Sequence, residues 1–481
     1  MRTGRVLSVD IGSTYTKAAL IDIGAQSPSV RGQASIPTTQ VDLSIAFEQL
    51  LRHLLELPPD ASLEKACMGF PVYASSSAKG GLAIAAIGLV PDLTVHVAEL
   101  AAASAGGRIV ATFSYRVGDE QLRILEGIRP DIVLLCGGTD GGNESYVLRN
   151  ARAIADSSLE TAILYAGNAA VRQEVKNILG QRLVAAVKNV MPEVGALDIE
   201  PARAAIQRIF LERIVDGRGL SRVRDLCAGE IMPTPRAVFE LLGALAREQP
   251  EWGETALVDM GGATTDVDTH CESFRGGESW ILKGIREPTL KRTVEGDLGL
   301  RVSARAAADT GRQYISARLA EEGLAEAGFA SWVGRVTEST DLIPSKKYEG
   351  MFDGILAEAC LYHALLRHAG TVEETYTTSG RVHVQRGKDL RTVRRLLLSG
   401  GYLSRLESPS LALRVLDRIK KDTGSSRLAP EHPEVWTDRR YLLPLFGAIA
   451  RDFPGQAAEL AARSLHPVDG IHKGGTTEDE G

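Results

Sequence analysis

Two stretches of this chain repeat one short pattern, and the repetition limits the folds open to it. Val6-Leu7-Ser8-Val9-Asp10-Ile11-Gly12-Ser13-Thr14-Tyr15-Thr16-Lys17 and Leu257-Val258-Asp259-Met260-Gly261-Gly262-Ala263-Thr264-Thr265-Asp266-Val267 each read as an apolar strand, a carboxylate, a glycine-bearing turn with hydroxyls, and a second strand. Glycine has no Cβ, so backbone N–H groups at Gly12, Gly261 and Gly262 can close on phosphate oxygens. Ser13, Thr14, Thr264 and Thr265 add hydroxyl donors, and Asp10 and Asp259 can hold Mg²⁺ through water. A third apolar strand, Leu396-Leu397-Leu398-Ser399, runs into Gly400-Gly401, where backbone can approach a nucleoside closely. Two related lobes closing on one ATP from opposite sides are the expected arrangement, with β- and γ-phosphates between the Gly12–Thr14 and Gly261–Thr265 turns.

The rest of the composition narrows the classes further. With 481 residues the chain has room for about two to four domains with ample core. A formal net charge of −6, with no segment dominated by Lys and Arg, argues against nucleic acid as a partner. Met1 runs directly into the first strand without an apolar leader, and no stretch of about 18 uninterrupted apolar residues suggests a membrane span. A cytoplasmic protein is expected. The five cysteines, Cys67, Cys136, Cys227, Cys271 and Cys360, stand singly without metal-ligand spacing, so they read as reduced thiols.

The three glycine-bearing loops together resemble the actin, Hsp70 and sugar-kinase superfamily, where they correspond to phosphate loop one, phosphate loop two and the adenosine loop. That resemblance implies an α/β fold of two ribonuclease-H-like lobes. The first lobe is expected over residues 1–93, with strands at Val6–Asp10, Thr16–Ile23, Val30–Ile36 and Lys65–Phe70 and helices at Leu43–Leu57 and Leu82–Leu89. Between 94 and 190 short β-branched runs alternate with amphipathic helices, which predicts an inserted parallel α/β domain. Its Gly137–Gly142 loop follows a strand and precedes a helix, either as a ligand loop or as a tight turn. Residues 191–254 read as a helical connector, 255–470 as the second lobe, and 471–481 as a disordered acidic tail. The charged stretch Arg292–Gly299, with Glu295 and Asp297, is expected near the nucleotide.

The combination of Val9–Thr14, Ser75–Gly81, Leu135–Gly142, Tyr165–Asn168, Asn189–Glu193, Pro233–Arg236, Asp259–Val267 and Arg292–Gly299 is similar to the MutL/GlmL family over nearly the whole chain. This is not the DNA mismatch-repair protein of the same name, whose motifs are absent. The resemblance implies an ATP- and Mg²⁺-dependent chaperone that exchanges damaged cobalamin from an adenosylcobalamin-dependent mutase such as glutamate mutase. The cobalamin itself would stay with the mutase, because Asp268-Thr269-His270-Cys271-Glu272-Ser273 lacks the glycine of a cobalamin signature. A homodimer is compatible with this reading. Two other functions remain open from sequence: a small-molecule kinase of the same fold, and an ATP-driven activator of a radical dehydratase. A kinase would further need a catalytic base beside an acceptor pocket, and the activator a cysteine-ligated iron–sulfur cluster, which the scattered cysteines disfavour. The expected sites are Asp10 and Asp259 as catalytic and metal-facing carboxylates, with Gly12, Ser13, Thr14, Gly261, Gly262, Thr264, Thr265, Gly400 and Gly401 around the nucleotide.

Overall fold

A computed structural model of the chain describes residues 4–468, apart from 13–14, 25–26, 40, 59, 78–81, 106, 211–219, 275, 278 and 379. Ser13, Thr14 and the acidic tail 471–481 therefore lie outside the described residues. The first sheet begins with β1 (Arg5–Ile11), β2 (Tyr15–Asp22) and β3 (Ser29–Pro37), an antiparallel meander, and β4 (Val72–Ser76) then pairs parallel to β1. Inside β1 every residue from Val6 to Ile11 is buried, as a central strand covered on both faces must be. The helix Leu43–Leu54 crosses between β3 and β4 and buries Phe47, Leu50 and Leu51 on one face.

Two expected elements come out differently. The strand placed at Lys65–Phe70 is a short helix, Leu63–Cys67, because Ser62 caps it by accepting from the Lys65 amide at 3.3 Å. Pairing waits until Pro71 is passed. The helix placed at Leu82–Leu89 is instead β5 (Ala83–Gly88), in which the five residues from Ile84 to Gly88 are all buried. A short run of small apolar residues has the same texture in a buried parallel strand and a buried helix, and periodicity does not separate them.

β5 belongs to a second, all-parallel sheet with β6 (Arg108–Ser114), β7 (Ile132–Leu135), β8 (Ala162–Tyr165) and β9 (Leu183–Ala186), in the order β6-β5-β7-β8-β9. Helices His96–Ser104, Asp119–Ile128, Ser145–Asp156 and Arg172–Leu179 connect its strands. The inserted sheet thus starts about ten residues before the expected boundary at 94. The chain then passes through helices Glu200–Phe210 and Leu220–Leu226 and returns to the first sheet with β10 (Met232–Pro233), parallel to β4.

The third sheet repeats the plan of the first. β11 (Thr255–Met260) and β12 (Thr265–His270) form an antiparallel hairpin. Next come β13 (Trp280–Lys283), which leaves for a small side sheet, and β14 (Leu290–Glu295), which extends the hairpin. The side sheet is completed by β15 (Thr371–Thr377) and β16 (Gly380–Arg386), of which β15 is not foreseen from sequence. β17 (Arg395–Ser399) and β18 (Glu434–Thr437) pair parallel beside β11, and β19 (His466–Pro467) closes the edge. Three antiparallel strands followed by parallel ones, once in the order β3-β2-β1-β4-β10 and once in β14-β12-β11-β17-β18, make two ribonuclease-H-like lobes. The molecule has the α/β fold of the actin, Hsp70 and sugar-kinase superfamily with an inserted parallel sheet.

Between the lobes lies a shared core. Val6, Ala19 and Ile21 of the first sheet and Leu257 and Leu397 of the third pack against helices Thr234–Glu248, Leu443–Ile449 and Pro454–Ser464. The helices approach closely enough that a Cβ on Gly447 would stand 2.3 Å from the Ala237 carbonyl oxygen. Among the described residues no helix is long and apolar enough to cross a membrane.

Candidate functional site

Asp10 and Asp259 sit at the same place in their lobes, one residue before the end of β1 and of β11, each followed by the turn of a hairpin. Both turns are closed the same way. The Gly12 amide donates to the Tyr15 carbonyl at 3.1 Å, and the Gly261 amide donates to the Thr264 carbonyl at 2.9 Å. At Gly12 the closure leaves no room for a side chain, since a Cβ would lie 2.6 Å from the Tyr15 oxygen. The third loop is pressed against the second. Gly400 has φ +100°, and a Cβ there would stand 2.1 Å from the Met260 oxygen, so only glycine allows β17 to end beside Gly261. Gly401, next to it, is exposed and faces open space.

The Asp10 carboxylate is buried and held from two distant segments. Its Oδ1 accepts from Ser75 at 2.9 Å and from Thr234 at 2.6 Å. Ser75 arrives because β4 pairs parallel to β1 in the register Asp10 with Ser75; Thr234 arrives as the first residue of helix Thr234–Glu248. Burial raises the Asp10 pKa, and Lys17, Thr234 and Ser75 oppose the rise. Asp259 is pushed up to about 7 by burial first and by repulsion from Asp266, its partner across the β11–β12 hairpin. Lys17 offsets that repulsion, while Asp10 and Asp438 add to it.

Lys17 is the cation that the carboxylates of the cleft share, with Arg405 near enough to repel it. It lies opposite Asp10 on β2, its Nζ stands 3.2 Å from the centroid of the Tyr441 ring, and it attracts Asp10, Asp259 and Asp438. Burial lowers its pKa and the three carboxylates resist that. Tyr441 is placed by a turn in which Asp438, after β18, accepts from the Leu442 amide at 2.8 Å and the Leu443 amide at 3.0 Å. Neither Asp438 nor Tyr441 was legible as a site residue, because β18 has no distinctive pattern. Lys17 and Asp266 stood inside the quoted stretches, but their roles depend on cross-strand register.

Thr264 and Thr265 part company in the structure. Thr265 is fully buried and its hydroxyl donates to the Leu298 carbonyl at 2.7 Å, fastening the hairpin to the segment after β14. That hydroxyl is committed inside the lobe, which revises its expected place at the phosphates; Thr264 is half-buried in the turn. Glu295 and Asp297 are likewise engaged, both accepting from Arg367 at 2.6 and 2.7 Å. The Gly137–Gly142 loop is a tight turn with φ +135° at Gly137 and +70° at Gly138. Asn168 accepts from the Gly141 amide at 2.9 Å and Asn189 donates to Asp140 at 2.9 Å, so the ends of β7, β8 and β9 are tied together there.

Two carboxylates converging on one cleft as hard oxygen donors suit a Mg²⁺ held largely by water and phosphate. The Gly12 and Gly261 amides, expected at the phosphates, are instead committed to closing their own turns. Among the described residues no group of three or more His, Cys, Asp and Glu side chains is placed to hold a metal by itself. Asp10 and Asp259 would supply the protein's share.

Among solved structures, the chain is similar to acetone carboxylase in its nucleotide-free state (12% identity, 94% of this chain and 70% of that one, TM-score 0.43). It is also similar to xylulose kinase from Bifidobacterium adolescentis (12%, 99% and 98%, TM-score 0.29) and to glycerol dehydratase reactivase (11%, 93% and 99%, TM-score 0.32). In sequence it is 34% identical over 470 residues to Protein MutL of Clostridium tetanomorphum, covering 96% of this chain and 99% of that protein. The family model described as MutL protein matches residues 6–465, and with both lobes and the insert inside that span the chain belongs to the MutL family.

Proposed function

We propose that this protein is a Mg²⁺-dependent ATPase that reactivates an adenosylcobalamin-dependent mutase, such as glutamate mutase, by driving exchange of damaged cobalamin. The observation that carries the ATPase part of the reading is the facing pair of hairpins, in which Asp10 and Asp259 stand one residue before the ends of equivalent strands and Lys17 bridges them electrostatically. The mutase part rests on the resemblance to the MutL/GlmL family. Bound Mg²⁺ would neutralise charge developing on the β- and γ-phosphates. The chain's own part is to orient the phosphates at Gly262 and Thr264 of the second turn, to hold the metal's water shell with Asp10 and Asp259, and to counter phosphate charge with Lys17. Gly400 and Gly401 leave the nucleoside side open to backbone contact.

Lobe closure then moves the insert, which we place against the partner enzyme. Because the inserted sheet shares its core with the first lobe, the test is substitution of exposed residues on the insert, which should spare ATP binding and weaken association with the mutase. The cysteines weigh against a radical-dehydratase activator, since Cys67, Cys136, Cys271 and Cys360 are each buried within a core rather than gathered at one surface as cluster ligands. A kinase is separated by experiment. Purified protein is incubated with Mg-ATP, inactivated mutase and free adenosylcobalamin, and in parallel with candidate sugars and acids. Recovery of mutase turnover that requires ATP hydrolysis supports the proposal; phosphorylated small molecule without recovery would replace it.

A further inference from the structure

One of the ties between the second lobe and the insert is a buried guanidinium. Arg292 lies on β14 directly opposite Asp268 and beside Asp266 on β12, with Nη2 3.1 Å from Asp266 Oδ1 and Nε 3.4 Å from Asp268 Oδ1. Its side chain is 1% exposed. The remaining arm, Nη1, donates to the Ala103 carbonyl at 2.8 Å. Ala103 stands in the last turn of helix His96–Ser104, the crossover between β5 and β6, where the final carbonyls have no intrahelical donor and the dipole is negative. Arg292 therefore caps a helix of the insert while sitting between two carboxylates of the nucleotide lobe.

Those carboxylates are not remote from the cleft. Asp266 faces Asp259 across the hairpin whose turn is Gly261–Thr264, and Asp259, Asp266, Asp268 and Arg292 all lie on one face of the third sheet. A shift of that hairpin on closing around phosphate carries Asp266 and Arg292 with it. The N-terminal end of the same helix is also tied to the second lobe, by His96 Nε2 at 3.3 Å from Glu287, which pairs with Lys388 at 3.3 Å. That tie touches no residue of the cleft.

We propose that Arg292 is the positioning residue through which the nucleotide state of the second lobe sets the placement of the insert, with helix His96–Ser104 as the moving part. The inference rests on the ATPase reading and adds its route. It is tested on the full chain by amide hydrogen exchange over residues 97–105 with a non-hydrolysable ATP analogue and with ADP. In the unaltered protein exchange there should differ at least about threefold between the two nucleotides, as expected for a local opening equilibrium coupled to ligand. Arg292→Lys keeps the charge, but one ammonium cannot stand beside both carboxylates and still reach the Ala103 carbonyl as the three guanidinium nitrogens do, so the difference should vanish while ATP affinity stays within about threefold.

His96→Gln, which loosens the other end of the helix, should keep the nucleotide difference. If Arg292→Lys does not fold, the isosteric Asp268→Asn frees the guanidinium from one side and should reduce the difference in the same direction. Persistence of the full difference in the folded variant overturns the proposal, as does loss of ATP binding in step with it. An unaltered protein that binds ATP without any difference at 97–105 overturns the coupling and leaves the ATPase standing. One that does not bind ATP overturns both.

Discussion

The hairpins of the two lobes share a backbone and differ in charge. Counting from each aspartate, Thr16 matches Thr265, and both are fully buried; one residue further, Lys17 of the first lobe stands where the second has Asp266. In the first lobe the position supplies the cation that the carboxylates of the cleft share. In the second it supplies a further carboxylate, raised by burial and held by Arg292. On the proposed reading, the same fold unit serves once to attract phosphate and once to connect the phosphate turn with the insert. Duplication of a backbone does not duplicate a role, because the role is set by which side chains face across the strand pair.

The comparison can be broken most sharply at Asp10. Asp10→Asn removes a charge with little change in volume, and Ser75 and Thr234 can still donate to the remaining oxygen, so the protein should fold. Turnover of Mg-ATP should fall by about 10²–10³-fold, the loss typical of one preorganised electrostatic group; unchanged hydrolysis in the folded variant would remove this loop from the site. Lys17→Met tests the charge difference itself. It leaves Asp10, Asp259 and Asp438 without their shared cation, and ATP affinity measured by calorimetry should weaken about tenfold, one charge-assisted contact's worth. The reciprocal change, Asp266→Asn, should alter affinity much less.

A smaller effect separates stability from activity. Asp259 has a folded-state pKa raised from 3.8 to about 7, so its contribution is present at low pH and is lost as pH rises from about 4 through about 7. Asp259→Asn removes that loss. At pH 8 and without nucleotide the variant should be more stable by on the order of 1–2 kcal/mol, discounted for the half-buried position, while turnover is abolished. Denaturant midpoints at pH 5 and pH 8 check the sign, and equal differences at both pH values would contradict it.

The smallest pair of effects distinguishes the two threonines. Thr265→Val leaves the Leu298 carbonyl without its donor and should cost about 1–3 kcal/mol of stability with ATP-to-ADP preference unchanged. Thr264→Val should leave stability nearly as it is and reduce that preference several-fold, roughly one neutral hydrogen bond of about 1 kcal/mol. A reversed outcome would return the sensing role to Thr265.

What could be read from the chain alone was local. A strand, an aspartate, a glycine turn and a second strand lie within a dozen residues, so both hairpins, the third glycine loop and most helices of the insert are legible from composition and spacing, and the fold follows from the family resemblance those loops carry. Short apolar runs were not. Ala83–Gly88 and Val72–Ser76 take their identity from parallel partners far away in sequence, which periodicity does not see. The site divides along the same line. Asp10, Asp259 and the glycines are marked by their own neighbours. Ser75, Thr234, Asp438, Tyr441 and Arg292 acquire their roles only when parallel pairing and helix docking bring separate segments to one cleft, and Thr265 loses its expected role because Leu298 is folded against it. Turn chemistry is written in consecutive residues; the partner of a buried polar group is chosen by the packing of the whole chain.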